Sequence, residues 1–488
     1  MLRSWDLNLH IVKASGLAVY LQIAQQVVDE IQRGRLNPSD AMPGTRELAI
    51  SLQVNRKTIV LAYNELIAQG WLTTESRRGT FVSAMLPRFK KTAKLKSQPS
   101  EFSKPALEKY ALAAGASEQT SHSNIIDFND GLPDTRLIPF ETLSKAFRHA
   151  LIAPVRSNKF GYGDPKGMLS LRLAIIAMLN MERGLNVGID NICIARGSQM
   201  GIFLAARVLT KPGDYVVVES LSYPPAREAF RSCGANIQTV GLDDHGIIVD
   251  ELESLCKKHR IRAVYVTPHH QFPTTVTMAA ERRLKLLMLA EQYNFIIVED
   301  DYDHEFHFSN HPVFPLASTN NNGRVVYVGS LSKVLAPGLR VGYLVASQNF
   351  INQCAAEVML IDRQGNSVTE LAVAELLITG EIKRHIRRTY KTYNERRNAL
   401  MDLIRHELAD HVSFDAPNGG LAIWLTLNNS LNVETIVKNA LQAQVRILPG
   451  SLFSTDNKHV NAIRLGFGSL NAVELAIGIQ RLKQVIKR

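Results

Sequence analysis

From Asn124 onward, short apolar runs alternate with stretches of helical periodicity, and this alternation restricts the fold more than any other feature of the chain. Ile192-Cys193-Ile194-Ala195 leads into a predicted helix at about Ser198 to Leu209, and Tyr215 to Glu219 follows as a strand. Ala263 to Thr267 and Phe295 to Asp300 flank an amphipathic stretch near Glu281 to Tyr293. Repeated strand–helix–strand units predict a mostly parallel α/β sheet covered by helices. After about Arg384 the pattern changes to a helix, a strand Leu421 to Leu425 behind Gly419-Gly420, and a strand Ile463 to Leu465. A smaller α+β lobe is expected there, and the sequence shows no internal repeat.

Residues 1–83 read as a separate unit. Leu21, Ala24, Val28 and Ile31 recur at helical spacing, and Gly34 follows the predicted helix end. A second helix is predicted from about Arg46 to Leu52. A third starts behind Asn55, an N-cap candidate, and carries Ile59, Ala62, Tyr63, Leu66 and Ile67 on one face. Trp71 to Thr74 and Thr80 to Ser83 read as two strands around the turn Ser76-Arg77-Arg78-Gly79. Three helices and a two-stranded wing make a winged helix-turn-helix, whose third helix enters the DNA major groove. Eleven basic against seven acidic residues among 1–90 make the unit only modestly positive, so charge alone leaves a protein-binding winged helix open.

Between the two units, residues 84–123 carry Lys90, Lys91, Lys94, Lys96 and Lys104 among Ser, Pro and Gln. A basic flexible linker is expected, with a helical piece near Ala106 to Ala116. A chain of 488 residues accommodates two or three such domains, and a net charge of +11 permits a nucleic-acid partner. No signal-peptide core and no run of about 18 apolar residues is present, so a cytoplasmic location is expected. Cys193, Cys233, Cys256 and Cys354 are far apart, which predicts free thiols and no structural metal site.

Chemistry concentrates at predicted strand ends. Ser330-Leu331-Ser332-Lys333, with Arg340 seven residues on, offers an amine, two hydroxyls and a guanidinium in one loop. That set suits a phosphorylated aldehyde, though Ser330-x-x-Lys333 also fits a serine-nucleophile pattern. Asp300 and Tyr302 in Glu299-Asp300-Asp301-Tyr302-Asp303 end a strand, where ligands of parallel sheets bind, although an acidic cluster there also suits a metal. Gly197-Ser198-Gln199 opens a helix and suits a phosphate, and Tyr223 before Pro224-Pro225 offers a ring to stack on or simply to pack.

Two resemblances rest on these residues. Pro43-Gly44-Thr45-Arg46-Glu47-Leu48-Ala49, Val54 to Ile59, Ala62 to Leu66 and Gly70-Trp71-Leu72 resemble the GntR family's DNA-binding domain. This implies DNA contacts from Arg46, Arg56, Lys57, Thr58 and the wing residues Arg77, Arg78 and Gly79. The rest resembles the fold-type I aminotransferases, and the whole chain resembles the MocR-type subfamily of GntR regulators, which fuses the two. The resemblance implies pyridoxal 5'-phosphate as cofactor, Lys333 as its Schiff-base lysine, and Ser330 and Arg340 as phosphate ligands. It also implies Ser198 and Gln199 as the phosphate turn, Tyr223 as stacking ring, Asp300 as partner of the pyridine nitrogen, with Asp301 the weaker alternative, and Tyr302 on the phenolic oxygen. Tyr162 matches the tyrosine that reaches the partner subunit's phosphate, implying a homodimer, and Arg464 matches the clamp of a substrate carboxylate. Phe272 stands where aminotransferases carry Asn, leaving His270 or Gln271 as substitutes for that hydrogen bond. Pro225 replaces an arginine of a GABA-sensing relative, so GABA is not a favoured effector.

These expectations converge on a regulator that binds operator DNA and senses the cofactor or an amino compound reacting with it. The rival is a working aminotransferase with an accessory winged-helix domain.

Overall fold

The computed structural model describes residues 9–12, 17–75, 78–86, 125–156, 161–308, 313–319 and 323–487. It divides into two compact units, residues 1–109 and 110–488. Arg77, nearly all of the expected linker 84–123 and the expected helical piece at 106–116 lie outside the described residues.

The front unit has helices Val19–Gln32, Thr45–Ser51 and Arg56–Ala68, then the antiparallel strands Leu72–Glu75 and Gly79–Val82. Its core is built from Ile23, Val27, Ile59, Ala62 and Leu66, all fully buried. The first helix therefore buries a face centred on Ile23 and Val27, and the expected Leu21 and Val28 sit at its margins. Asn55 caps the third helix by accepting the Lys57 amide at 2.9 Å, satisfying one of the donors a helix start leaves unpaired. The Tyr63 hydroxyl donates to the Pro43 carbonyl at 2.9 Å and ties this helix to the segment entering the second.

The large unit is built on a seven-stranded sheet in the order Ile192–Ala195, Gly342–Val345, Val325–Ser330, Ile296–Asp301, Ile261–Val266, Tyr215–Glu219, Asn236–Val240. Only Gly342–Val345 runs against the others. The central strands are almost uninterrupted apolar runs because both faces are covered. Gly201 lets the helix Gly197–Leu209 approach the sheet, since a Cβ there would come within 2.9 Å of Val328.

The smaller lobe follows the 27-residue helix Glu381–Glu407. Its four-stranded antiparallel sheet runs in the order Val412–Ser413, Ala422–Leu427, Ala462–Gly466, Leu448–Pro449. Among the pairings that the sequence reading does not register, the longest in range is Ile126–Asp127 in parallel with Val445–Arg446. Phe128, fully buried, follows it into the lobe's core beside Gly478, so the start of this unit is held by its end.

Candidate functional site

The parallel strands converge their carboxyl ends on one region, and most of the predicted residues are on or just beyond those ends. Asp300 is the fifth residue of Ile296–Asp301, and Ser330 closes Val325–Ser330. The helix carrying Ser198 and Gln199 starts directly after Ile192–Ala195. Tyr223 follows Tyr215–Glu219 and caps the helix Pro224–Ser232.

Lys333 is half-buried, with its Nζ 4.5 Å from the centre of the Tyr302 ring. Burial holds the amine below its ordinary range, while the charges of Asp303, Asp130 and Asp300 pull the other way. A larger share of the lysine is then unprotonated near neutrality, which is the nucleophilic form.

Asp300 and Asp301 are neighbours with opposite electrostatics. Asp301 accepts the Tyr327 hydroxyl at 2.7 Å and has His304 at 2.9 Å and Arg183 at 3.6 Å. Burial alone would raise its pKa, but His304, His269 and Arg183 hold it well below the usual carboxylate range. Among the described residues Asp300 accepts only the Tyr265 hydroxyl, at 2.8 Å, and burial pushes its pKa up to about 7. Its Oδ1 is buried without a hydrogen-bond partner among the described residues. Asp301 Oδ1 is likewise unpartnered among the described residues, but Arg183 and His304 stand against that carboxylate, whereas Asp300 has only the weaker pull of Lys333; Asp300 is therefore the acid with less cationic compensation.

Arg340 adopts a left-handed conformation, φ 52°, and donates from Nη2 to the Arg196 carbonyl at 3.0 Å. Its guanidinium lies against Gly197, where a Cβ would stand 2.7 Å from Nη2. A cation thus sits at the amino end of a 13-residue helix whose first-turn amides point the same way. Ser330 is buried, and its Oγ accepts the Ser332 amide at 3.1 Å, which leaves the hydroxyl proton to donate elsewhere. Gln199 donates to the Pro225 carbonyl at 3.2 Å.

The rings of Tyr223 and Tyr302 both meet Phe272 edge-on, at 5.3 and 5.9 Å between centroids. The expected substitutes for the missing Asn are both occupied. Gln271 donates to Glu219, Leu221 and Phe272, and His270 Nδ1 lies 2.8 Å from Asp303. Tyr302 keeps its own anchor, donating to the His270 carbonyl at 3.0 Å.

Arg464 is fully buried and 4.6 Å over the Phe272 ring. Its bonds go to main-chain carbonyls, two to Asp130 at 3.2 and 3.1 Å and one to Pro273. Among the described residues it makes no ion pair with a carboxylate, contrary to the ordinary fate of a buried arginine. Tyr162 is on the surface, 79% exposed, with Arg363 4.1 Å over its ring.

In the front unit, Arg46, Arg56 and Lys57 are exposed and Thr58 is half-buried. Arg56 Nε reaches Thr45 Oγ1 at 3.3 Å, linking the starts of the second and third helices. Arg78 and Gly79 are exposed in the wing, and Arg78 pairs with Glu75 at 2.5 Å.

A histidine cluster was not anticipated. His269 and His270 are buried in the loop after Ile261–Val266, and His304 and His307 follow Ile296–Asp301. His269 is stacked on His304 at 4.5 Å and lies 4.4 Å from His270 and 5.2 Å from His307, centroid to centroid. Burial and the neighbouring imidazoles hold His269 well below its ordinary pKa. The signals were His269-His270 and His304-x-x-His307, in segments 33 residues apart that only the sheet order makes neighbours.

Residues 123–482 match the family described as aminotransferase class I and II, and residues 19–82 match bacterial regulatory proteins of the gntR family. The chain is 31% identical to an aromatic-amino-acid aminotransferase of Thermococcus litoralis, over 75% of this chain and 88% of that protein. It is 30% identical to the HTH-type transcriptional regulator TauR of Rhodobacter capsulatus, over 96% of both chains. It is 28% identical to the probable rhizopine catabolism regulatory protein MocR of Rhizobium meliloti, over 96% of this chain and 94% of that one. Among solved structures, a Pyrococcus horikoshii kynurenine aminotransferase in complex with PMP superposes with a TM-score of 0.72 at 32% identity, covering 79% of this chain and 97% of its own.

Proposed function

The chain belongs to the class I and II aminotransferase family and, through its gntR-family front domain, to the MocR-type subfamily of GntR regulators, and from that premise we propose a DNA-binding transcriptional regulator that senses pyridoxal 5'-phosphate or an amino compound reacting with it. The observation that carries this reading is the joining of an exposed Arg56–Lys57 helix start to a lysine–acid pocket in one chain.

The residues fit the cofactor. The buried, unpartnered Oδ1 of Asp300 suits a protonated pyridine nitrogen, which would relieve the burial that raises this acid. Arg340, the Gly197–Gln199 helix start and the Ser330 hydroxyl would hold the phosphate, Lys333 would bond the aldehyde carbon, and Tyr302 and Tyr223 would border the ring. When bound, the cofactor supplies an electron sink for bonds to an amine's α-carbon. Arg464, positive and without a carboxylate partner among the described residues, favours an effector bearing a carboxylate. The exposed Tyr162 and the neighbouring exposed run Met359, Leu360 and Ile361 favour a homodimer in which Tyr162 completes the partner's pocket. Two heads on such a dimer would read two half-sites. No helix among the described residues is long and apolar enough to cross a membrane, in keeping with a cytoplasmic regulator.

Retention of Lys333 with Asp300, together with the aminotransferase relatives, favours residual amine-transfer chemistry as a second reading. Titrating the cofactor and candidate amines against binding to the protein's own upstream DNA tests the first reading, which requires DNA affinity to change. Turnover with a keto-acid acceptor at ordinary enzyme rates, about 1–1000 per second, would favour the second.

A further inference from the structure

We propose that His269, His270 and His307 form a binding site for one divalent transition-metal ion of the zinc, cobalt or nickel type, built beside the cofactor pocket and separate from its ligands. One ligand nitrogen from each of the three lies within 4.8 Å of the others. His270 Nε2 and His307 Nδ1 are 3.3 Å apart. Two nitrogens bound at about 2.0–2.1 Å to a tetrahedral ion stand about 3.3 Å from each other, so this pair needs almost no rearrangement.

Two further observations point to an ion. His269 is 3% exposed, and neither of its ring nitrogens makes a hydrogen bond among the described residues. Leaving a buried polar atom unpaired costs about 1–3 kcal/mol, and an ion would take up one of the two. His270 is anchored through Nδ1 by Asp303 at 2.8 Å, and both side chains are buried. A carboxylate holding the far nitrogen orients the ring and fixes the tautomer whose near nitrogen carries a lone pair, which meets His307 Nδ1 here and which a metal would take in its place.

The chemistry of the set narrows the ion. Three imidazoles and no thiolate suit borderline divalent transition ions and disfavour magnesium or calcium, which take oxygen ligands. A tetrahedral ion with three protein ligands keeps a fourth position, and His307, partly exposed, offers an edge for entry. His304, stacked on His269, has its Nδ1 2.9 Å from Asp301 and is left outside the proposed set. The other carboxylate beside the cluster, Asp301, is matched by Arg183 and Tyr327.

The test uses the full-length chain, stripped with a chelator and dialysed against zinc or cobalt with the cofactor absent. The expected result is about one equivalent of metal per chain, with cobalt showing the intense ligand-field absorption of a four-coordinate site. His269→Ala and His307→Gln should each lower affinity by more than about 100-fold, and Asp303→Asn by about 10–100-fold. His245→Ala, at an exposed site, should change nothing. Should His269→Ala fail to fold by circular dichroism, the half-buried His307→Gln variant carries the comparison. Bound metal at no more than a substoichiometric trace, or binding undiminished in His307→Gln, overturns the proposal.

Discussion

The Tyr265 hydroxyl donates to Asp300 Oδ2 at 2.8 Å, while the other oxygen of the same buried carboxylate has no hydrogen-bond partner among the described residues. One bond from a neutral phenol cannot match the desolvation of a full charge, so the acid rises to about 7. A cationic nitrogen placed at Oδ1 would restore it. Asp300→Asn keeps the shape and removes the charge, and should weaken cofactor binding by about two orders of magnitude, the roughly 3 kcal/mol of a broken buried ion pair. A titration followed by cofactor absorbance checks this, and undiminished affinity would assign the nitrogen to another partner.

Gly197 is predicted to be indispensable to the phosphate cradle. It combines a left-handed φ of 74° with the contact that would bring a Cβ to 2.7 Å from Arg340 Nη2. Gly197→Ala strains the backbone and displaces the guanidinium together. Cofactor affinity should fall by at least about tenfold. Gly213→Ala shares the left-handed strain, φ 92°, but opens onto free space and should leave cofactor affinity unchanged. Equal losses in both variants would mean that strain, not the cradle, is responsible.

For the front unit, base reading and phosphate anchoring separate by experiment. Arg56→Ala should cost about 1–3 kcal/mol of operator affinity and relax sequence preference, the signature of a lost base contact. Lys57→Ala should weaken binding to all sequences and lower the salt slope by about 1. Both are measured by fluorescence anisotropy over a range of salt. Asn55→Ala removes the cap on the Lys57 amide and should destabilise the unit by about 1 kcal/mol, read by thermal unfolding.

What the sequence disclosed and what it withheld divide along contact range. Lys333, Asp300 and the Gly197 helix start were legible because each stands within a few residues of an apolar strand, and a parallel sheet sends all such ends to one edge. Sequence identified Arg464 but not its surroundings, since its carbonyl partners Asp130 and Pro273 are 334 and 191 residues away. The histidine cluster depends on two loops becoming neighbours through the pairing of Ile261–Val266 with Ile296–Asp301. Pairing of Ile126–Asp127 with Val445–Arg446 closes the unit over a distance that periodicity does not register.

Glu219 yields a pH prediction of definite sign. It is buried with Oε1 unpartnered among the described residues, and burial raises its pKa from 4.5 to about 8 despite hydrogen bonds from Gln271 and Thr267. The folded chain therefore holds a proton that the unfolded chain releases above about 4.5. Where the native state binds more protons, stability falls as pH rises. This contribution is fully present below 4.5 and is lost progressively up to about 8. Glu299 and Asp300, each raised to about 7, act in the same direction, so the difference between variants is the informative quantity. Glu219→Gln stays neutral throughout and removes this group's share. Denaturant unfolding of the cofactor-free protein at pH 5 and pH 8 should show a smaller loss of stability with pH in Glu219→Gln than in the parent chain. Equal losses would mean that Glu219 is ionised in the folded state.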